Sequence, residues 1–176
     1  MKKYQIIYAD PPWKYDFSRS ASREIENHYP TMSIQDMEKL NIPSENNSVL
    51  FMWATAPKLE NALRIMKSWD FVYKSCAIWD KEIIGMGYWF RGQHEILLVG
   101  VRGKFSPPPQ SLRVSSVFRK RRTKHSEKPN NIRDLIKSWY PTSSRIELFA
   151  RQKIAGWDVW GDEVVSNISL DSKNDS

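Results

Sequence analysis

Apolar residues in this chain occur in two patterns: short unbroken runs, and longer stretches spaced every three to four positions. Tyr4–Ala9 is an unbroken run stopped by Asp10-Pro11-Pro12. Its length and β-branched content predict a buried strand, and the prolines end any further ladder pairing. A polar, irregular stretch runs to about Pro30. Ser33 then predicts an N-cap for a helix over Ile34–Leu40, with Asp36 at the third helical position to accept in return. Ser48–Ala54 predicts a second buried strand. Leu59, Ala62, Leu63, Ile65, Met66 and Trp69 repeat at helical spacing after Pro57, an amphipathic helix. Phe71–Trp79 and Glu95–Val101 predict two more strands, joined by a polar loop containing Gly85, Gly87 and Gly92. Residues 104–129, with Pro107-Pro108-Pro109, read as an exposed loop. Asn131–Trp139 places Ile132, Leu135, Ile136 and Trp139 on one helix face. Arg145–Ala150 predicts a fifth strand and Trp157–Trp160 a sixth. The last ten or so residues read as a frayed tail, which gives a domain over 1–163 and a flexible segment over 164–176.

Strands alternate with helices, and the strands are continuously apolar. This predicts a mostly parallel sheet covered on both faces, an α/β fold. Ligands of such sheets collect at the carboxyl ends of strands, where Asp10–Trp13 falls. With 176 residues, 40% of them apolar and 27% charged, the chain has room for one core and little reason for wholesale disorder. It holds no uninterrupted apolar run of about 18 residues, so no membrane-spanning helix is expected. Met1-Lys2-Lys3-Tyr4 leads straight into the first strand without the apolar stretch of a signal peptide. Cys76 is the single cysteine, which excludes an internal disulfide and a zinc cluster; with His28 and His94 it makes no metal set. A cytoplasmic location and no metal are expected.

Charge narrows the reading further. The formal net charge is +7, and Arg119-Lys120-Arg121-Arg122-Thr123-Lys124 places five positive charges in six positions. Such a cluster repels itself unless an anion lies against it, and a phosphate backbone is the usual anion. The alternatives are a solvated loop with no partner and a short acidic patch elsewhere on the same protein. Eight Trp, seven Tyr and seven Phe must mostly fill the core, though some could stack on bases.

Asp10-Pro11-Pro12-Trp13 offers a specific chemistry. Two prolines remove two N–H donors and leave carbonyl acceptors; Asp10 adds a carboxylate and Trp13 a flat apolar face. An exocyclic aromatic amine is the complement, with two in-plane N–H donors on a stackable ring. Its lone pair is delocalised, and hydrogen bonds from both N–H groups to a carboxylate and a carbonyl pull the nitrogen toward a pyramidal, nucleophilic form. A methyl sulfonium about 3–3.5 Å away would then react in line, mainly through positioning. The plainer alternative is an acidic residue and two prolines closing a strand.

At these residues the chain resembles amino-group methyltransferases that use S-adenosylmethionine, whose catalytic signature is Asp-Pro-Pro-Trp after an apolar strand. More closely, it resembles the family named for the seventy-kilodalton catalytic subunit of the messenger-RNA N6-adenosine methyltransferase, in a compact bacterial or phage-like form. The resemblance covers roughly residues 4–163. Beyond Asp10–Trp13 it rests on Tyr29-Pro30-Thr31-Met32, Leu40–Pro43, Leu50–Trp53, Glu95 with Leu98–Gly103, His125–Pro129, Ile146–Arg151 and Gly156–Gly161.

The resemblance implies a Rossmann-like class I methyltransferase fold in which the catalytic strand precedes the cofactor strand. It implies that Asp10, Pro11, Pro12 and Trp13 hold the reacting amine and base, and that Tyr29, Glu95, Ser126 and Lys128 line the adenosine pocket. Asp10, Lys128, Glu147, Phe149, Arg151, Asp162 and Glu163 would contact S-adenosylmethionine. Glu147 would accept from its ribose, Lys128 would lie near its methionine end, and Asp162 and Glu163 would lie near its adenine. Glu147 and Arg151 could instead be a surface ion pair. Asp162 and Glu163 depart from the amides that some relatives carry. Arg91, Arg119, Lys120, Arg121, Arg122 and Lys124 are the residues expected on nucleic acid. The loop over 81–93 corresponds to a partner-contacting loop in family heterodimers, so a homodimer or heterodimer is an allowed arrangement. The implied activity is N6-adenine methylation of DNA. RNA methylation and a catalytically silent nucleic-acid-binding subunit are the alternatives.

Overall fold

The computed structural model describes residues 2–14, 31–121, 128–129 and 131–172. Seven strands form one sheet: β1 (Tyr4–Ala9), β2 (Ser44–Ala54), β3 (Val72–Asp80), β4 (His94–Arg102), β5 (Val117–Arg119), β6 (Arg145–Leu148) and β7 (Asp158–Trp160). Their order is β5-β3-β4-β2-β1-β6-β7. β1 runs parallel to β2 and β6, β6 to β7, and β3 to β5. β4 is antiparallel to both of its neighbours. Three helices flank the sheet: α1 (Ile34–Lys39), α2 (Leu59–Ser68) and α3 (Asn131–Trp139).

Successive residues of a strand point to opposite faces, so the central strands divide their side chains between two cores. Ile7 and Ala9 of β1 join Leu50, Met52, Ile65, Met66 and Trp69 on the face covered by α1 and α2. Ile6 and Tyr8 join Phe51, Trp53, Trp79, Ile132 and Ile136 on the face covered by α3. The continuous apolar runs of β1 and β2 therefore reflect burial on both sides, as the sequence indicated. Ser33 caps α1 as expected: its hydroxyl oxygen accepts from the Asp36 N–H at 3.1 Å and its O–H donates to the Asp36 carboxylate at 2.6 Å.

Two segments differ from the sequence reading. The loop over 104–129 contains β5, which adds to the outer edge of β3 and is anchored by the Trp79 indole N–H donating to the Lys120 carbonyl at 2.7 Å. Residues 164–172, expected to fray, are docked. Asn167 brackets Val159 of β7 through its N–H at 2.8 Å and its side-chain oxygen at 3.0 Å. Farther on, Ile168 and Leu170 pack against the core, and Ser172 bridges to Leu40. The reason is accounting: β7 is an edge strand whose outer N–H and C=O groups need partners, and this segment supplies them.

Candidate active site

Every parallel strand ends at the same edge of the sheet, and antiparallel β4 begins there. That edge therefore brings together Asp10 after β1, Asp80 at the end of β3 with Lys81 after it, Glu95 at the start of β4, Phe149–Arg151 after β6 and Gly161–Glu163 after β7. Lys128, three residues before α3, reaches the same place from the α3 face.

Asp10 follows Tyr8 by two positions and so faces the α3 side. Its two carboxylate oxygens take the Lys128 ammonium at 2.8 and 2.9 Å. Lys128 also meets Glu95 at 3.2 Å, and Glu95 meets Lys81 at 3.3 Å. Four side chains thus form an alternating chain of charge, with Lys128 and Glu95 each 8% exposed. Burial opposes the charge on Lys128, but Asp10 and Glu95 outweigh it and hold the ammonium protonated well above the ordinary lysine range. Burial likewise pushes the Glu95 carboxyl up, yet Lys128 and Lys81 prevail and leave it below its usual value. The Lys128 ammonium also stands 5.8 Å from the Trp53 ring centroid, within cation–π range.

This network carries an acid-sensitive contribution to stability. A carboxyl with a depressed folded-state pKa stabilises fully above its unfolded value, about 4.3 for Glu, and loses that contribution as pH falls through the folded value. Glu95→Gln is expected to lower stability at pH 7 by about 1.5–3 kcal/mol, the range for a hydrogen bond to a charged group. The gap from the native protein should narrow below about pH 4. Thermal melts across pH 3–8 check this, and a gap that stays constant with pH would refute it.

The prolines and tryptophan behave differently from their sequence reading. Pro11's carbonyl accepts the Trp13 N–H at 2.9 Å and Pro12's accepts the Met32 N–H at 3.2 Å. Each retains a second lone pair. Trp13, expected to present an open stacking face, is 6% exposed and belongs to the core on the α1 and α2 side. A backbone bridge to Met32 folds it inward. Its indole N–H is buried with no partner among the described residues.

Glu147 is turned inward. The carboxylate expected to face a ribose is 2% exposed and is forked by Arg133, whose Nε and Nη2 donate to its two oxygens at 2.7 and 2.5 Å. Glu147 pairs in register with Tyr8, and so faces α3. Arg133 lies 5.1 Å from the Tyr8 ring centroid, and the Tyr8 hydroxyl oxygen accepts from the Trp53 indole N–H at 2.5 Å. Burial opposes charge on Arg133, but Glu147 more than offsets it and keeps the guanidinium protonated. Sequence reasoning missed Arg133, because a single arginine beside an apolar helix face reads as a surface residue.

At the ends of β6 and β7, Phe149 adopts the left-handed conformation (φ 60°) and packs edge-on against Trp160 with ring centroids 5.3 Å apart. Gly161 lies so close to the Ala150 backbone that a Cβ would collide with it, and Ala150 N–H donates to the Trp160 carbonyl at 2.9 Å. The two loops are therefore locked together. Exposed Arg151 and Glu163 lie 3.6 Å apart, beside exposed Asp162. The edge offers aromatic faces, carboxylates and cations together, a donor set that fits a nucleoside carrying an amino-acid tail.

Of the residues expected on nucleic acid, Arg119 stands 3.4 Å from Asp80 while 74% of its side chain stays exposed; Lys120 and Arg121 are exposed. Arg91 folds back, donating to the Gly85 carbonyl at 2.6 Å. Tyr29, Arg122, Lys124, His125 and Ser126 lie outside the described residues. Among the described residues no His, Cys, Asp and Glu group could hold a metal ion, and no helix is long and apolar enough to cross a membrane.

A mostly parallel seven-stranded sheet flanked by helices, with a Pro-Pro turn and a buried acid–lysine pair at its carboxyl edge, defines a Rossmann-like methyltransferase domain. Residues 4–163 match the family model described as MT-A70, and the chain belongs to that family. It is 36% identical to the Type II methyltransferase M.MunI of a Mycoplasma species, over 94% of this chain and 80% of that protein. It is 30% identical to the human N(6)-adenosine-methyltransferase catalytic subunit METTL3, over 85% of this chain and 26% of that one. An Arabidopsis thaliana N(6)-adenosine-methyltransferase MT-A70-like protein is 27% identical, over 92% and 24%. The chain thus spans most of the Mycoplasma protein and about a quarter of the plant and human ones.

Proposed function

We propose that the chain transfers a methyl group from S-adenosylmethionine to the N6 amine of adenine in DNA, with residues 1–163 as the catalytic unit. The observation that carries this reading is Asp10 at the carboxyl end of β1, followed by the Pro-Pro turn and clamped by a buried lysine. Bound S-adenosylmethionine supplies an electrophilic methyl group on sulfur. Arg151 is the exposed cation suited to its carboxylate, Lys128 adds positive charge toward the same end while holding Asp10, and Asp162 and Glu163 are the acceptors suited to its hydroxyl and amine groups. The Phe149–Trp160 pair offers an aromatic surface.

The work on the amine belongs to Asp10 and Pro11. Each Asp10 oxygen spends one lone pair on Lys128 and keeps another for an incoming N–H. The Pro11 carbonyl, with its remaining lone pair, suits the second N–H. Lys128 fixes the carboxylate's orientation, so the entropic cost of aligning it is met before the base arrives. Once the nitrogen has bonded to the methyl carbon, whose bond to sulfur would break to leave a neutral thioether, it is cationic and sheds a proton readily, so Asp10 need only receive it and pass it to water.

DNA is favoured over RNA because a relative aligned along most of both chains is a Type II methyltransferase. The intact Asp-Pro-Pro-Trp turn and its lysine clamp favour an active enzyme over a silent subunit. The test supplies isotope-labelled S-adenosylmethionine with unmethylated duplex DNA, single-stranded DNA and RNA in separate reactions, then identifies labelled nucleosides by mass spectrometry. Labelled N6-methyl-deoxyadenosine is the expected product. Label confined to RNA would reassign the polymer, and no label on any polymer from a chain that binds the cofactor would overturn the reading.

A further inference from the structure

The loop joining β3 to β4 carries the most exposed aromatic side chains of the described residues: Tyr88 is 90% exposed, Trp89 95% and Phe90 90%. Three adjacent large rings in water are unfavourable, and a mere connection has no need of them. The loop is also braced. Lys81 N–H donates to the Gln93 carbonyl at 2.9 Å and Gly85 N–H to the Gly92 carbonyl at 2.8 Å. The Gln93 amide donates to Asp80 at 2.8 Å. Arg91 ties the tip to its own base through the Gly85 carbonyl. Glycine is needed where the sides meet: a Cβ at Gly85 would stand 2.7 Å from the Gly92 carbonyl oxygen, and one at Gly87 would collide with the Phe90 carbonyl. The rings are held outward by construction.

Position and charge indicate what covers them. The loop leaves β3 at Asp80 and enters β4 at His94, so its base is the Lys81–Glu95 bridge, one link from the Lys128–Asp10 clamp. Beside it, at the end of neighbouring β5, stand exposed Arg119, Lys120 and Arg121. Stackable rings flanked by positive charge are complementary to a polyanion with flat bases. A second copy of a chain with net charge +7 would bring the same basic strip against its own equivalent.

We propose that the Tyr88-Trp89-Phe90 tip is a wedge that enters duplex DNA beside the target adenine and stacks in the space the rotated base leaves. This rests on the nucleic-acid methylation reading above. A paired adenine hides its amine, so the base must leave the stack, and an inserted ring offsets part of that cost.

The experiment compares wild type, Trp89→Ala and Trp89→Phe on long unmethylated duplex DNA and on the same DNA heat-denatured. Losing one base–aromatic stack is expected to lower duplex kcat/KM about ten- to a hundred-fold in Trp89→Ala. Turnover on denatured DNA should change little, because an unpaired base needs no wedge. Trp89→Phe should recover most duplex activity. A second readout does not depend on turnover: duplex DNA should shield tryptophan emission from acrylamide in wild type, by an increment absent in Trp89→Ala. Equal losses on both DNA forms, unchanged duplex turnover, or a wild type that methylates only denatured DNA would overturn the wedge. So would a dimer without DNA that Trp89→Ala converts to monomer, since the tip would then be covered by a second copy. If wild type methylated no polymer, the functional reading would fail, and the shielding measurement would still decide the wedge.

Discussion

Asp10→Ala is expected to lower methyl transfer by about 10²–10⁴-fold, the range associated with removing a positioned proton acceptor. The loss should fall on kcat more than on KM, because the carboxylate matters most as the amine nitrogen becomes pyramidal and then cationic. Alanine offers the amine no acceptor at the end of β1. The fold should survive, since Lys128 keeps Glu95 at 3.2 Å as a partner. Asp10→Asn should retain part of the activity, because an amide oxygen still accepts an N–H but cannot receive the proton. Steady-state kinetics with labelled cofactor, alongside calorimetric cofactor binding, separates these effects. An Asp10→Ala protein within tenfold of wild type would remove Asp10 from the reaction.

The largest effect on stability is expected at Arg133→Ala. Glu147 would be left as an uncompensated buried carboxylate, a change that costs about 3–5 kcal/mol. For a chain of this size that lowers Tm by roughly 6–20 °C. The double change Arg133→Met with Glu147→Leu should recover most of the loss, because an apolar pair of similar volume avoids desolvating two charges. Thermal unfolding of the two single variants and the double variant measures the coupling directly. Additive losses would mean that the two side chains do not act as a pair. The same double variant tests the role of Glu147. A stable protein with unchanged cofactor affinity agrees with a carboxylate closed by Arg133, whereas a stable protein with lost affinity would return Glu147 to the cofactor.

Much of this was legible along the chain because local sequence already meets the local requirement. The apolar run of β1 ends at Asp10 since two prolines permit nothing else. The helix α1 starts where Ser33 accepts the Asp36 N–H and donates its own O–H to the Asp36 carboxylate. Asp10-Pro11-Pro12-Trp13 could be singled out as the candidate reactive turn because its donors and acceptors are set by residue type. Family membership followed from several such motifs in one order.

Tertiary structure decided the rest wherever a residue's meaning depends on a distant neighbour. β5 exists because the outer edge of β3 needs partners, and three residues in a proline-rich basic stretch give no pattern of their own. The segment 164–172 is ordered because edge strand β7 has unpaired backbone groups. Asp10 and Lys128 are 118 positions apart, and only the parallel connection between β1 and the α3 face makes them a clamp. Glu147 looks like a ligand in sequence and becomes Arg133's partner once the sheet register sets it beside Tyr8. Trp13 looks like a stacking platform until its backbone bridge turns it into the core, while the stretch around Gly85, Gly87 and Gly92 reads only as a polar loop until its bracing is seen to hold Tyr88, Trp89 and Phe90 out in water. Sequence alone determined which chemical groups and local turns the protein has, because these are covalent and short-range. The fold decided which groups face one another and which face solvent, because burial and pairing are properties of the assembled chain.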